Sequence, residues 1–170
     1  MDFAACRVVA YSGGMSNPEV YVEELTVYTE ADAEQLGRLM THLTDRASGA
    51  PVGEVLLRRM IESPEHGLLV ARLGETERRI VGSAALSVVM GPMAGVEGYL
   101  QDFVTDPDVR RRGVGNALWQ GVIDWCAERE ASSLMFTSHA RRAAAHEFYL
   151  RQGAEIRDTT PFRIKIPGDN

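Results

Sequence analysis

The chain has 170 residues, a length that fits one domain with its own hydrophobic core. It carries 18 Lys and Arg residues against 24 Asp and Glu residues, and the net charge of −6 argues against nucleic acid as the main partner. Two cysteines, Cys6 and Cys126, are too few for a disulfide framework. No apolar run approaches the ~20 residues that a membrane-spanning helix requires.

The first two dozen residues are weakly patterned and include the run Ser12-Gly13-Gly14 just before Met15. They lack a charged region followed by a sustained apolar core, so we expect a soluble, cytoplasmic protein rather than a secreted one. We interpret residues 1–22 as an N-terminal extension, or as a leader ahead of a start at Met15. Residues 23–168 then form the folded domain.

The first half of the chain predicts two helices and three strands. Residues 25–28 have the composition of a strand, and a helix begins behind Thr29, whose hydroxyl suits an N-cap. A second helix is predicted over residues 55–61. The apolar runs at 68–71 and 80–89 are separated by a turn, which indicates an antiparallel hairpin.

The second half begins with a strand at residues 97–105, which the turn Asp106-Pro107-Asp108 ends. A long helix follows with apolar residues at helical spacing, namely Val114, Leu118, Val122 and Trp125. A strand at 134–137 and a helix at 141–152 come next. Residues 162–166 alternate apolar and basic side chains, which predicts a last strand.

The predicted elements make an antiparallel start followed by two helical crossovers. This order is that of an α+β or mixed α/β fold, in which helices are layered on one sheet. A dinucleotide-binding fold would instead place G-x-G-x-x-G directly after its first strand.

The run Arg110-Arg111-Arg112-Gly113-Val114-Gly115-Asn116-Ala117 lies between the predicted strand at 97–105 and the long helix. Unpaired N–H groups and the partial positive charge of a helix start favour a phosphate anion. Gly113 and Gly115 have no Cβ atom to hold an anion away, and the arginines add charge. The run indicates a pyrophosphate site, although a solvated basic turn has the same composition.

A second motif, Phe148-Tyr149-x-x-x-Gly153, ends the predicted helix at 141–152. With both motifs in this order, the chain resembles the GNAT superfamily of acyl-CoA N-acyltransferases. Arg110-x-x-Gly113-x-Gly115 is similar to the acyl-CoA pyrophosphate motif of that family, and the second motif is similar to its other CoA-contacting segment. The resemblance covers roughly residues 24–166. It implies a single-domain fold in which a central mixed β-sheet, flanked by helices, splays open for the pantetheine arm.

The resemblance also implies which residues bind the donor, acetyl-CoA. Main-chain groups of Phe103 and Thr105 would hold the acetyl carbonyl and the pantetheine amides, and amides from residues 111–117 would bind the pyrophosphate. The implied set is Phe103, Val104, Thr105, Arg110, Arg111, Arg112, Gly113, Val114, Gly115, Asn116, Ala117, His139 and Arg142. The chain departs from the family at His139, where asparagine is frequent, and at Ala154, where phenylalanine is usual.

Three residues are candidates for the chemistry. Tyr149 matches the tyrosine that protonates the departing CoA thiolate in many family members, and a phenol of pKa ~10 stays protonated at neutral pH. An alkylammonium group of pKa ~10 must lose a proton before it attacks, so a base or a proton route is needed. Asp102 is the first candidate base, because it lies on the thioester strand with its side chain opposite to that of Phe103. Glu97 is the second; Asp102 could instead only orient the amine.

The implied activity is direct transfer of an acetyl group from acetyl-CoA to a primary amine in a ternary complex. A small-molecule acceptor is expected, and the weak similarity of residues 138–149 to aminoalkylphosphonate N-acetyltransferases agrees with it. A protein or peptide N-terminal acetyltransferase and a non-catalytic acyl-CoA-binding sensor are the alternatives. The histidines have no metal-ligand spacing, so no metal is expected. A homodimer is an option that the family suggests.

Overall fold

The structure is a computed structural model that describes residues 9–11, 20–74 and 78–167. Most of the predicted extension, residues 1–22, lies outside the described residues, and so do residues 75–77 of the predicted hairpin turn. The chain divides into two compact units, residues 1–137 and residues 138–170.

The described residues of the first unit form six strands, three α-helices and one 3-10 turn. In chain order these are β1 (Val9–Tyr11), β2 (Val20–Glu24), α1 (Glu30–Met40), α2 (Glu54–Ile61), β3 (His66–Leu73), β4 (Arg79–Gly91), β5 (Gly95–Thr105), the 3-10 turn (Pro107–Val109), α3 (Val114–Glu128) and β6 (Leu134–Phe136). The second unit contributes α4 (Ala143–Arg151).

The strands form one sheet in the order β1-β2-β3-β4-β5-β6. Each neighbouring pair is antiparallel except β5 and β6, which are parallel and connected through α3. A mixed sheet with helices layered on it confirms the predicted fold class. The hairpin of β3 and β4 is also as predicted.

Helices cover both faces of the sheet. On one face, Leu36 of α1 and Leu57 of α2 are buried in one apolar cluster with Val70 of β3. On the other face, α3 approaches so closely that a Cβ atom at Gly82 of β4 would lie 3.2 Å from Val114 and 3.3 Å from Leu118. The apolar stripe predicted for α3 is buried, and it orients this helix so that its first turn starts just beyond the end of β5.

The predicted N-cap of the first helix is confirmed. The Thr29 hydroxyl accepts a hydrogen bond from the Asp32 amide over 3.0 Å. The strand predicted at residues 25–28 is wrong, because the strand is β2 and its pairing with β3 ends at Glu24. Leu25 makes one more main-chain bond, to Leu68, and the chain then turns into the cap of α1. The helix start overrides the strand propensity of Val27 and Tyr28.

The strand predicted at residues 162–166 is also wrong. Phe162, Ile164 and Ile166 are 93%, 82% and 79% exposed, and α4 is the only regular element within residues 138–167. Alternation describes the two faces of a strand, but a strand also needs a neighbour for its main-chain hydrogen bonds. The observed order of elements is therefore ββααβββαβα.

Candidate active site

Strand β5, which the thioester would lie along, contains a β-bulge. Phe103 pairs with Ala84 and Leu100 pairs with Leu86, so Ala85 alone lies opposite Gln101 and Asp102. One extra residue on β5 reverses the alternation of side chains beyond it.

The reversal turns Phe103 toward α3. Gly98 of β5 lies against Cys126 of α3, since a Cβ atom there would be 2.7 Å from the sulfur atom. Phe103 lies five residues further along, so in a regular strand its side chain would point to the opposite face. Instead it also faces α3 and packs edge-to-face on Trp119, with ring centroids 5.9 Å apart. Val104 then belongs to the opposite core cluster, beneath α1 and α2. Because of the bulge, the Phe103 ring packs against α3 while the main chain of residues 103–105 continues the strand.

Asp102 lies on the side of the sheet that α1 and α2 cover. Ala85, which the bulge places opposite Gln101 and Asp102, belongs to the core cluster beneath those helices, and side chains opposite each other share a face. Asp102 itself is exposed. Its carboxylate therefore projects to the side opposite the Phe103 ring, at a solvated position.

The sheet opens between β5 and β6. The two strands pair only at Gly98–Leu134, Tyr99–Met135 and Leu100–Phe136, whereas β5 continues to Thr105. In the described part of the sheet, no strand pairs with residues 101–105 on the β6 side. The sheet is therefore open, as the resemblance predicted, and the opening lies beside the predicted thioester strand.

The turn before α3 contains two residues in the left-handed backbone conformation. Arg111 and Gly113 both have positive φ, 64° and 81°, and Gly113 caps α3 without a side-chain hydrogen bond. The first turn of α3 contains no acidic residue. A Cβ atom at Gly113 would meet nothing within 4 Å, so the left-handed conformation, and not space within the protein, requires glycine there.

The three arginines of this turn face outward. Arg110 and Arg111 are exposed and Arg112 is half-buried. Among the residues that the structure describes, none of their guanidinium groups makes an ion pair or a side-chain hydrogen bond. Their charge is therefore available to a phosphate.

Glu97, the second candidate base, is engaged elsewhere. Its carboxylate accepts a hydrogen bond from the Ser133 hydroxyl over 2.7 Å, and the Ser133 carbonyl accepts from the Gly98 amide. Glu97 thus helps to hold the segment that leads into β6 against β5, at the paired end of these strands.

The second unit holds Tyr149, His139 and Arg142. Burial raises the pKa of the half-buried Tyr149 above its usual ~10, although the charge of Arg142 opposes the shift. The hydroxyl therefore keeps its proton at neutral pH. His139 is exposed, its ring nitrogen accepts from the Arg141 amide over 3.2 Å, and its carbonyl accepts from the Arg142 amide over 2.9 Å. These bonds give His139 a place in the turn that precedes α4.

The structure also brings together a residue pair that the sequence alone does not indicate. Asp106 and Arg79 form an ion pair at the exit from β5. The sequence Asp106-Pro107-Asp108 by itself predicts only a turn. The signal that could have identified Asp106 is an aspartate directly before a proline, because a carboxylate at that position can cap the turn that follows.

Two negative observations complete the description. Over residues 20–74 and 78–167, no helix is long and apolar enough to cross a bilayer. Over the same ranges, no group of three or more His, Cys, Asp or Glu residues is placed to hold a metal ion.

The model of the acetyltransferase (GNAT) family matches residues 38–154. The chain therefore belongs to the GNAT family of acetyltransferases and is an acyltransferase. Members of this family generally use acetyl-CoA as co-substrate. No curated protein matches the chain.

Several solved structures share the fold. An aminoglycoside acetyltransferase from an uncultured soil metagenomic sample is 19% identical with a TM-score of 0.74, covering 87% of this chain and 97% of its own. A transcriptional regulator from Bacillus halodurans C-125 is 21% identical with a TM-score of 0.71, covering 86% and 99%. A ribosomal-protein-alanine N-acetyltransferase from Brucella melitensis biovar Abortus 2308 is 20% identical with a TM-score of 0.64, covering 86% and 99%.

Proposed function

We propose that this protein transfers the acetyl group of acetyl-CoA to a primary amine of a small molecule, by direct attack in a ternary complex. The observation that carries the proposal is the glycine-capped start of α3. It combines a left-handed Gly113, a first turn without acidic residues and three arginines that make no ion pair with any described residue, directly beyond the end of β5. This combination suits the pyrophosphate of an acyl-CoA.

The donor would lie along β5. Amides of residues 111–117 and the charges of Arg110 and Arg112 would bind the pyrophosphate, and main-chain groups of residues 103–105 would hold the pantetheine and the acetyl carbonyl. The opening between β5 and β6 supports this placement, because an extended ligand can enter where strand pairing stops. His139 and Arg142 complete the proposed donor-binding set.

In the reaction, the amine nitrogen forms a bond to the acetyl carbon and the carbon–sulfur bond breaks. Tyr149 would give its proton to the departing thiolate and regain one from solvent. Asp102 would take the proton that the attacking amine loses, directly or through water. Glu97 is the second choice because its carboxylate already accepts a hydrogen bond from Ser133. Holding amine and thioester together supplies much of the rate increase.

The acceptor is proposed to be a cationic small amine, such as a polyamine or an aminoglycoside. The net charge of −6 would steer a cation to the protein over long range. A structural neighbour is an aminoglycoside acetyltransferase, which agrees with this class. Another neighbour is a ribosomal-protein-alanine N-acetyltransferase, so acetylation of a protein N-terminus is the second candidate.

A thiol-release assay tests the function. The protein and acetyl-CoA are incubated together with one class of amine at a time: polyamines, aminoglycosides, aminoalkylphosphonates or short peptides with free N-termini. The liberated CoA is measured with a thiol reagent. We expect turnover with one class of small amine. Turnover only with peptides supports the second candidate, and binding of acetyl-CoA without turnover on any amine supports a sensor.

We also propose that residues 23–168 form the catalytic domain and that the enzyme acts in the cytoplasm. A homodimer is an option for its assembly. Sedimentation of the full chain measures the oligomeric state, and expression of residues 23–168 tests the domain boundary by its retained turnover.

A further inference from the structure

Asp106 and Arg79 join two strands at the point where the chain leaves the sheet for the glycine turn. Arg79 is the first residue of β4, and Asp106 directly follows the last residue of β5. The Arg79 guanidinium donates to Asp106 Oδ2 over 2.7 Å. The Asp106 side chain is only 8% exposed, whereas that of Arg79 is 52% exposed. The buried carboxylate is therefore held by a cation that solvent can reach.

Asp106 is bonded through its main chain and both of its carboxylate oxygens. Oδ1 accepts from the Asp108 amide over 2.9 Å, while Oδ2 accepts from Arg79. The Asp106 amide donates to the Val81 carbonyl over 2.8 Å, and its carbonyl accepts from the Val109 amide over 3.2 Å. One residue thus ties the 3-10 turn to the body of the sheet.

The same chain of bonds continues to the proposed pyrophosphate loop. Val109 is buried at 3% exposure, and its carbonyl accepts from the Arg112 amide over 3.3 Å. Gly113, the cap of α3, is the next residue. A shift of Asp106 would therefore be passed through Val109 to the amides that precede and begin α3.

We propose that Asp106, held by Arg79, is a positioning residue for the acyl-CoA pyrophosphate. It sets the orientation of the loop amides at residues 111–117 and makes no contact with the donor itself. This inference rests on the proposed function, because it concerns the same donor site.

The charges around the pair agree with an ionised Asp106. Burial by itself would raise the pKa of Asp106, but the Asp108 amide, the Arg79 ion pair and nearby His42 outweigh it, so the pKa is lowered from its usual range. A groove of about 510 Å³ lies beside the pair, and its lining includes Arg38, His42, Arg79 and Asp106. Arg38 lines this groove without a hydrogen bond or an ion pair to Asp106, its ion pair being with Glu34, so it offers a matched control.

The test compares two ligands on one variant. Asp106→Asn keeps the size of the side chain and an oxygen for the Asp108 amide, but it loses the charge that pairs with Arg79. Affinities are measured for CoA by calorimetry and for S-acetylpantetheine, which lacks the pyrophosphate, by competition. We expect CoA to bind about tenfold more weakly and S-acetylpantetheine to bind unchanged. Amide hydrogen exchange should become faster over residues 107–117 than over the rest of the sheet.

Two further variants complete the experiment. Arg79→Gln removes the partner while the carboxylate stays, and it should reproduce the selective loss even where Asp106→Asn does not fold. Arg38→Gln should leave both affinities unchanged.

Equal losses for both ligands, or no loss for CoA, would overturn the positioning role while the proposed function stands. A wild-type protein that binds neither CoA nor acetyl-CoA would overturn the proposed function and this inference together.

Discussion

At the scale of single residues, Gly113 and Tyr149 would serve different steps of the reaction. Position 113 requires glycine because its φ is 81°, an angle that other residues adopt only at a cost. This position starts the helix that would hold the donor. Tyr149 is half-buried, and burial raises the pKa of its phenol further above neutral pH. Substitutions at these two positions should therefore affect binding and turnover separately.

Tyr149→Phe removes the proton donor and leaves the aromatic ring. We expect kcat to fall about 10²-fold or more, and the Kd for acetyl-CoA to change less than threefold. Because the tyrosine must be protonated to act and its pKa is raised, loss of wild-type activity through this group should occur only above about pH 10. Steady-state kinetics and calorimetry on both proteins measure the split. An unchanged kcat would remove Tyr149 as the acid.

Gly113→Val places a β-branched side chain at a positive φ and beside the expected phosphate. CoA binding should be lost to the detection limit of calorimetry, with a stability cost of about 1–2 kcal/mol from the strained backbone. Gly95→Val is the matched control, because Gly95 also has a positive φ, 74°, and open space around its Cβ position. The control should show a similar stability cost in urea denaturation and normal CoA binding. Retained binding by Gly113→Val would refute the assigned site.

At the scale of elements, the first turn of α3 combines two physical requirements that oppose each other. An acidic residue there would stabilise the helix through its dipole, yet the turn contains none. The absence is understandable if the same N–H groups serve an anionic ligand, since a nearby carboxylate would repel a phosphate.

Asn116→Asp tests this opposition within α3. The substitution should leave stability unchanged or raise it by about 0.3–1 kcal/mol, and weaken CoA binding about tenfold at low salt. Asn116→Ala, which adds no charge, serves as control and should lack the salt-dependent part of the loss. A variant that binds CoA with wild-type affinity at low salt would show that the anion does not lie at this helix start.

Most elements could be predicted because local signals and tertiary packing agree. The stripe of α3 and the Thr29 cap are such cases. The strand at residues 25–28 failed because propensity does not show where pairing with β3 ends. The strand at 162–166 failed because alternation does not supply a hydrogen-bonding neighbour. The role of Asp106 depends on Arg79, 27 residues earlier, and that contact exists only in the folded sheet.

At the scale of the whole molecule, one buried ion cluster joins the start of the sheet to α1. Arg72 of β3 donates to Glu23 of β2 over 2.6 Å and to Asp32 of α1 over 2.8 Å, and all three residues are buried. Arg78 adds a bond to the other oxygen of Glu23 over 2.8 Å. The cluster sets how α1 lies on the sheet, and α1 in turn lines the groove beside Asp106.

Arg72→Met should therefore destabilise the fold strongly. Removing the guanidinium leaves two buried carboxylates without their main partner, a loss of about 3–5 kcal/mol in the free energy of unfolding. Arg58→Met breaks the exposed Arg58–Glu54 pair of α2 and should cost far less. Urea denaturation of both variants gives the comparison. A cost below 1 kcal/mol for Arg72→Met would show that the cluster does not stabilise the fold.

The bulge in β5 changes which residues of the strand face α3. Before it, even-numbered residues such as Gly98 face α3; after it, odd-numbered ones such as Phe103 do. Loss of Gln101 alone would remove the bulge and restore a uniform period of two, and Phe103 would stay opposite Ala84 and keep facing α3. The position of this one extra residue therefore decides which side chains of β5 face α3 and which face α1 and α2.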